Sequence, residues 1–207
     1  MRVAVLGATG GTGRLVVDEL VRRGHEVVAL TRGAPPDGRP SVRWVTGDAR
    51  DSSAVEELVR GADAVVSALG PRRGDSTLHR ELAPRLTAAM RAAGVQRFVG
   101  VSGAGIAVPG DRKSRRDRVI SALVRRFGGE AVRDKAVEHE HWAGSDLDWT
   151  LVRPPRLVDG PASGRVEHSA SRSPRRTSLT RADLASFLVD LVEQPQYVRQ
   201  APLVAAG

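Results

Sequence analysis

Val3–Ala4–Val5–Leu6–Gly7–Ala8–Thr9–Gly10–Gly11–Thr12–Gly13 is the stretch from which the rest of the chain can be read. Val3 to Leu6 is a short, unbroken apolar run, the pattern of a strand buried on both faces. After the glycines, an apolar stripe of Leu15, Val16, Leu20 and Val21 begins a helix that Gly24 closes. The glycines therefore occupy a strand-to-helix turn. There they allow a tight bend, let backbone N–H groups approach a diphosphate, and let the helix pack close to the strand. The start of the helix adds unpaired donors and a partial positive charge. A dinucleotide is the ligand this arrangement fits.

Outward from that turn the alternation continues. Glu26 to Thr31, Val42 to Thr46, Asp63 to Leu69, Arg97 to Ser102 and Leu147 to Val152 read as strands. Ser52 to Arg60, Leu78 to Ala93, Val119 to Phe127, Ala131 to Trp142 and Thr180 to Val192 read as helices. Pro84 is expected to kink the third of the chain's helices or to mark its start. Thr180–Arg181–Ala182–Asp183 is a capping box with Asp in place of Glu. Pro202 to Ala205 suits an edge strand. The regular βα order predicts an α/β, Rossmann-type, doubly wound, mainly parallel sheet of about six or seven strands. No composition break divides residues 1–207, so one domain is expected, with 103–129 and 156–178 as irregular segments on the substrate side. The Gly160 to Ser178 stretch is expected to hold one short strand or a mobile flap.

Composition narrows the function. The chain has 207 residues and no cysteine, which excludes disulfides, thiolate metal sites and a cysteine nucleophile. No apolar run approaches the ~20 residues needed to span a bilayer, and the N-terminal run is too short for a signal peptide, so a cytoplasmic location is expected. The net charge of +8 would suit a nucleic-acid binder, but aromatic residues make up only 3%, too few for stacking platforms. The expected partners are accordingly a small planar substrate, no nucleic acid and no membrane, in a monomer or small homo-oligomer.

The end of the second strand reports on the coenzyme. An NAD site places a carboxylate there for the ribose hydroxyls. This chain has Thr31–Arg32, with Arg39 nearby. A guanidinium can fork onto a 2′-phosphate, so NADP(H) is expected over NAD(H), with no metal.

Four segments, GATGGTG at 7–13, Gly47–Asp48, Ser67–Ala68–Leu69–Gly70 and Asp148–Trp149–Thr150–Leu151–Val152–Arg153–Pro154–Pro155, together resemble the atypical short-chain dehydrogenase/reductases. The similarity is to the NmrA-like and flavin-reductase (biliverdin reductase B) types, and it runs almost end to end. It implies a diphosphate held by Gly7, Thr9, Gly10, Gly11 and Thr12, with Gly13 completing the turn. It also implies Arg32 at the 2′-phosphate, Asp48 and Ala49 beside adenine, and Ala68, Leu69, Gly70 and Arg72 along the ribose. Val101, Ser102, Pro154 and Pro155 would border the nicotinamide.

The catalytic Tyr-x-x-x-Lys of that family is incomplete here. Lys135 stands at the lysine position, but Ala131 replaces the tyrosine, so an ordinary alcohol dehydrogenase is disfavoured. Hydride transfer to a flavin, quinone or other planar acceptor needs less help from the protein. Ser102, Lys135 and His139 are the catalytic candidates. The last two are four residues apart on one helix face, and the plainer reading of His139 is an exposed helical histidine. His139 and His141 point apart on a helix and cannot share a metal. His25 and His79 are expected at the surface, Trp142 and Trp149 in the core. The family histidine after the double proline aligns with Arg156, which would favour an acidic or phenolate-bearing acceptor. A non-catalytic NADP sensor and a non-redox tailoring enzyme (isomerase, dehydratase or cyclase) on the same fold stand as alternatives.

Overall fold

A computed structural model of the chain describes residues 1–36, 40–70, 77–127 and 129–207. Six parallel strands form the central sheet: β1 (Arg2–Leu6), β2 (Glu26–Thr31), β3 (Val42–Thr46), β4 (Ala64–Ser67), β5 (Arg97–Val101) and β6 (Asp148–Val152). Their order across the sheet is β3-β2-β1-β4-β5-β6. Helices α1 (Gly11–Arg22), α2 (Ser52–Val59), α3 (Leu78–Ala93), α4 (Arg115–Phe127), α5 (Gly129–Ala143) and α6 (Arg181–Glu193) connect or flank them. This is the Rossmann-type doubly wound sheet expected from the alternation. Strand order reverses between β1 and β4, and such a switch point opens a crevice at the carboxyl ends of the strands.

Alternation along each strand builds the two cores. Ala4, Leu6, Val28, Leu30, Phe98, Trp149 and Leu151 face the layer that holds Leu58, Leu82, Leu86 and Trp142. Val3, Val5, Val27, Ala29, Val66, Val99 and Val152 face Val16, Val17, Leu20, Leu184 and Leu188. Trp142 and Trp149 are core residues as expected, and Trp142 stacks on Phe98 with ring centroids 4.0 Å apart.

The caps follow their side chains. Asp51 accepts from Ser53 N–H at the start of α2, and Thr180 Oγ accepts from Asp183 N–H at the start of α6. Gly94, at φ 72°, closes α3 in the left-handed conformation that glycine adopts at little cost. Pro84 lies inside α3, which begins at Leu78, so it does not mark the start. Arg97 is buried at the foot of β5 and donates to Leu191 O at 2.7 and 3.1 Å, fastening the last turn of α6. Burial lowers its pKa to about 10, which still leaves a cation at neutral pH.

Within Gly160 to Ser178 the expected short strand is present, and residues 156–180 hold two more at its borders. They contain β7 (Arg156–Val158), β8 (Val166–Ser169) and β9 (Ser178–Thr180). β7 pairs in parallel with β9, and β8 in antiparallel with β10 (Leu203–Ala206). No helix among the described residues is long and apolar enough to cross a membrane.

Candidate functional site

The register of the sheet sets the first half of the site. Leu6 pairs with Ser67, so Gly7 lies beside Ala68. Gly7 has φ +74°, and a β-carbon there would stand 2.9 Å from Ala68 C and Leu69 N. A β-carbon on Gly13 would stand 2.0 Å from Gly7 O, so only glycine lets α1 start this close to its strand. The N-cap of α1 is Gly10, which offers no side chain to the first-turn N–H groups, and no acidic residue lies in that turn. Those donors are left for an anion.

A cleft of about 530 Å³ opens over this turn. Gly7, Thr9, Gly10, Gly11, Thr12, Arg32, Asp48, Ala49, Ala68, Leu69 and Gly70 all line it. Gly13 lies beneath the turn and acts through packing. Arg32 is exposed and has no hydrogen-bond or ion-pair partner among the described residues. Asp48 Oδ1 accepts from Arg50 N–H at 2.9 Å. Arg50 in turn donates to Glu81 at 2.8 Å and to Thr77 at 3.2 Å, tying this side of the cleft to α3. Arg39 and Arg72 lie outside the described residues.

Pro154 and Pro155 do not line that cleft. They form part of a neighbouring cavity of about 330 Å³ at the end of β6, with Ala104, Leu203, Val204 and Pro174 as apolar wall and Lys113, Arg156 and Arg176 as cations. Arg156 and Arg176 are exposed and without hydrogen-bond or ion-pair partners among the described residues. The two openings share one strand: Arg156 of β7 lines the cavity and Leu157 lines the cleft. Ser102 N–H donates to Val152 O at 2.7 Å, but the buried Ser102 Oγ has no partner among the described residues.

Lys135 and His139 are both placed differently from their expectations. Lys135 is buried, and its Nζ donates to Val101 O at 2.8 Å, to Glu138 Oε2 at 2.9 Å and to His79 Nδ1 at 2.9 Å. An ammonium has three donors, and all three are used on protein atoms, so Lys135 offers none to a ribose. Burial would push the Glu138 carboxyl up, but the Lys135 charge and the His79 contact outweigh it and hold it below the ordinary range. His79 is buried rather than at the surface, at 3% exposure, and its Nε2 has no partner among the described residues. The reason is long-range: Asp134 of α5 accepts from His79 N–H and Arg80 N–H, both at 2.9 Å, and so pulls the start of α3 inward. His139 is also buried, edge-on to Trp149 at 5.8 Å. Burial and then the Arg153 charge hold it below 6.5, so it is uncharged at neutral pH. His25 is partly buried and contacts Glu193 at 2.9 Å.

The basic run at 112–116 is tied into the fold through Lys113. Lys113 donates to Ala104 O at 2.8 Å and Ile106 O at 2.6 Å. Asp111, just before the run, meets the fully buried Arg153 in a two-point pair at 2.6 and 2.8 Å. The loop after β5 is thereby fixed to the end of β6. Sequence reasoning also missed Arg181 and Leu157 in the cleft and Arg176 in the cavity. For Arg181 a signal existed: a cation in the first turn of a helix opposes the helix dipole.

A family model described as NAD(P)H-binding matches residues 7–195, from the glycine turn to the end of α6. The chain belongs to this NAD(P)H-binding family. Its ligand is therefore a nicotinamide coenzyme, and the NmrA-like resemblance is borne out. Among solved structures, a candidate exported protein of Burkholderia pseudomallei is 30% identical, covers 99% of both chains and superposes with a TM-score of 0.81. A candidate NADH-flavin reductase of Streptococcus pneumoniae shares the fold at 24% identity, with full coverage of both chains and a TM-score of 0.81. A 3-diazoavenalumate denitrifying reductase of Streptomyces is 39% identical over 122 residues, 53% of this chain and 40% of that protein. Among the described residues no group of three or more His, Cys, Asp or Glu could hold a metal.

Proposed function

We propose that this member of the NAD(P)H-binding family is an NADPH-dependent oxidoreductase of the atypical short-chain dehydrogenase/reductase class. It transfers hydride to a planar or conjugated acceptor that carries an acidic group. One observation carries the reading: an apolar cavity adjoins the nucleotide cleft along β7, and two guanidiniums without a partner among the described residues, Arg156 and Arg176, stand on its rim. A flat apolar body fits the proline-lined wall, and an anionic substituent fits the rim. The reductase names among the relatives support the same direction.

The residues fit a dinucleotide. The bend at Gly7 and Gly13 leaves no room for side chains, and the first turn of α1 keeps its donors free, so Gly7, Thr9, Gly10, Gly11 and Thr12 hold the diphosphate. Arg32 holds the 2′-phosphate and makes NADP(H) the preferred form. Asp48 accepts from the adenine amino group, with Ala49 against the ring. Ala68, Leu69 and Gly70 follow the ribose. Val101, Pro154 and Pro155 bound the nicotinamide, where Ser102 Oγ is a buried hydroxyl still lacking a partner among the described residues. When bound, the coenzyme supplies the hydride. The chain positions the acceptor, and neither Lys135 nor His139 is placed to give it a proton. Ala131 has no phenol, Lys135 has no free donor and His139 carries no extra proton at neutral pH. The reduced acceptor takes its proton from water, which flavins and quinones permit and simple ketones do not.

The same spent Lys135 favours a second reading, a sensor that binds NADP without turnover. Mixing the protein with NADPH and a panel of flavins, quinones and conjugated ketones, each with and without a carboxylate, decides between them by the absorbance of the reduced nicotinamide. Turnover favouring the carboxylated acceptors, with KM raised by Arg156→Ala, is the expected result. Binding without turnover on every acceptor would leave the sensor and the non-redox tailoring readings, and an unchanged KM would remove Arg156 from the acceptor site.

A further inference from the structure

Arg181 rests on the glycine turn itself. A β-carbon placed on Gly11 would come within 3.2 Å of Arg181 Nε and 3.3 Å of its Cδ, so the side chain lies flat against the backbone where α1 begins. It also lines the nucleotide cleft. Its partner is Asp159 Oδ1 at 2.8 Å, and the Asp159 side chain is 92% exposed. The two meet because β7 and β9 pair with Val158 opposite Thr180, which makes Asp159 and Arg181 the next residue of each strand. An ion pair to so exposed a carboxylate is weak and readily exchanged. A diphosphate over the turn would offer the same guanidinium several fixed oxygens, a stronger and more directional partner.

Building on the dinucleotide reading of the cleft, we propose that Arg181 is an additional ligand of the coenzyme's diphosphate. Asp159 competes with that diphosphate for the guanidinium and so sets the coenzyme affinity. In the free protein the arginine is parked on Asp159. On binding, the guanidinium exchanges the carboxylate for phosphate oxygens, and Asp159 returns to solvent. No bond is made or broken in the exchange. It differs from the contact proposed for Arg32, which concerns the 2′-phosphate at the other end of the cleft.

Calorimetric titration of NADP⁺ and of 2′-AMP, which has the 2′-phosphate but no diphosphate, tests this without turnover. Arg181→Gln should weaken NADP⁺ by about tenfold or more, the size of a lost charge-assisted contact, and leave 2′-AMP unchanged. Asp159→Asn should tighten NADP⁺ by about two- to fivefold, the range of an exposed pair, and should do nothing in an Arg181→Gln background. Retained 2′-AMP binding certifies the fold of each variant, and if Arg181→Gln does not fold, Asp159→Asn alone decides. Unchanged NADP⁺ affinity in Arg181→Gln, or weaker binding in Asp159→Asn, overturns the proposal while the coenzyme reading stands. Absence of heat from both NADP⁺ and NAD⁺ with the wild-type protein would instead overturn the coenzyme reading.

Discussion

Arg153, the last cation before the double proline, holds Asp111 by two hydrogen bonds of 2.6 and 2.8 Å, and none of its side chain is exposed. Removing one partner of such a pair leaves a buried charge uncompensated. Asp111→Ala is therefore expected to lower unfolding stability by about 3–5 kcal/mol, measured by urea denaturation. Replacing both members, Asp111→Ala with Arg153→Met, should recover much of that loss. A single variant within experimental error of wild type would show that the loop after β5 does not depend on this pair.

The same carboxylate gives a pH signature. Burial would raise its pKa, but the Arg153 hydrogen bonds and charge, the Val108 N–H and Lys113 outweigh burial and lower it. The folded form thus holds its proton less tightly than the unfolded form. Its contribution is complete above the ordinary aspartate range near 4 and drains away as pH falls below that toward the depressed value. The stability gap between wild type and Asp111→Asn should narrow from pH ~6 to pH ~3. A gap constant across that range would contradict the assignment.

His139 acts at milder acidity. Burial, then the Arg153 charge, depresses it below 6.5, so protonation favours the unfolded chain. The neutral ring's contribution is complete above 6.5 and is lost as pH falls through and below that value. Melting temperature should begin to fall below about pH 6.5, before the carboxylates titrate. A His139→Gln protein should show a shallower slope in that interval. Equal slopes would assign the effect to another group.

Lys135 separates a structural from a catalytic lysine. With its three donors on Val101, Glu138 and His79, Lys135→Met should cost about 3–5 kcal/mol of stability, and adding Glu138→Gln should restore part of it. Turnover per folded molecule should then match wild type. A loss of about 10²–10⁴ in kcat in the stable double variant would make it an acid or base after all.

Much of the fold was legible because β1, β2, β4 and β5 are short, mainly apolar runs with both faces buried, a pattern that survives without tertiary information. The glycine turn was legible for a different reason: its residues are chosen by backbone room, and Gly7 and Gly13 have none to spare. What escaped the sequence was set at a distance. His79 is buried because Asp134 caps its helix from 55 positions away. Lys113 sits in a run of arginines and reads as solvated, yet its ammonium serves two loop carbonyls. β7 and β9 have three residues each and exist only through one another, so neither carries a period of its own.

On the proposed function, coenzyme choice rests on Arg32. Arg32→Ala should weaken NADP⁺ by about tenfold and leave NAD⁺ nearly unchanged, read by titration. A loss shared equally by both nucleotides would mean that the guanidinium acts through general charge rather than through the 2′-phosphate.

Engineering of the acceptor range meets one constraint in β7. Arg156 and Leu157 are neighbours in a three-residue strand, one on the wall of the apolar cavity and the other on that of the nucleotide cleft. On the proposed function, libraries that randomise 156–158 will drag coenzyme affinity along with every change in acceptor profile. Diversity placed at 173–177, which lies off the cleft, can retune selectivity without that tether.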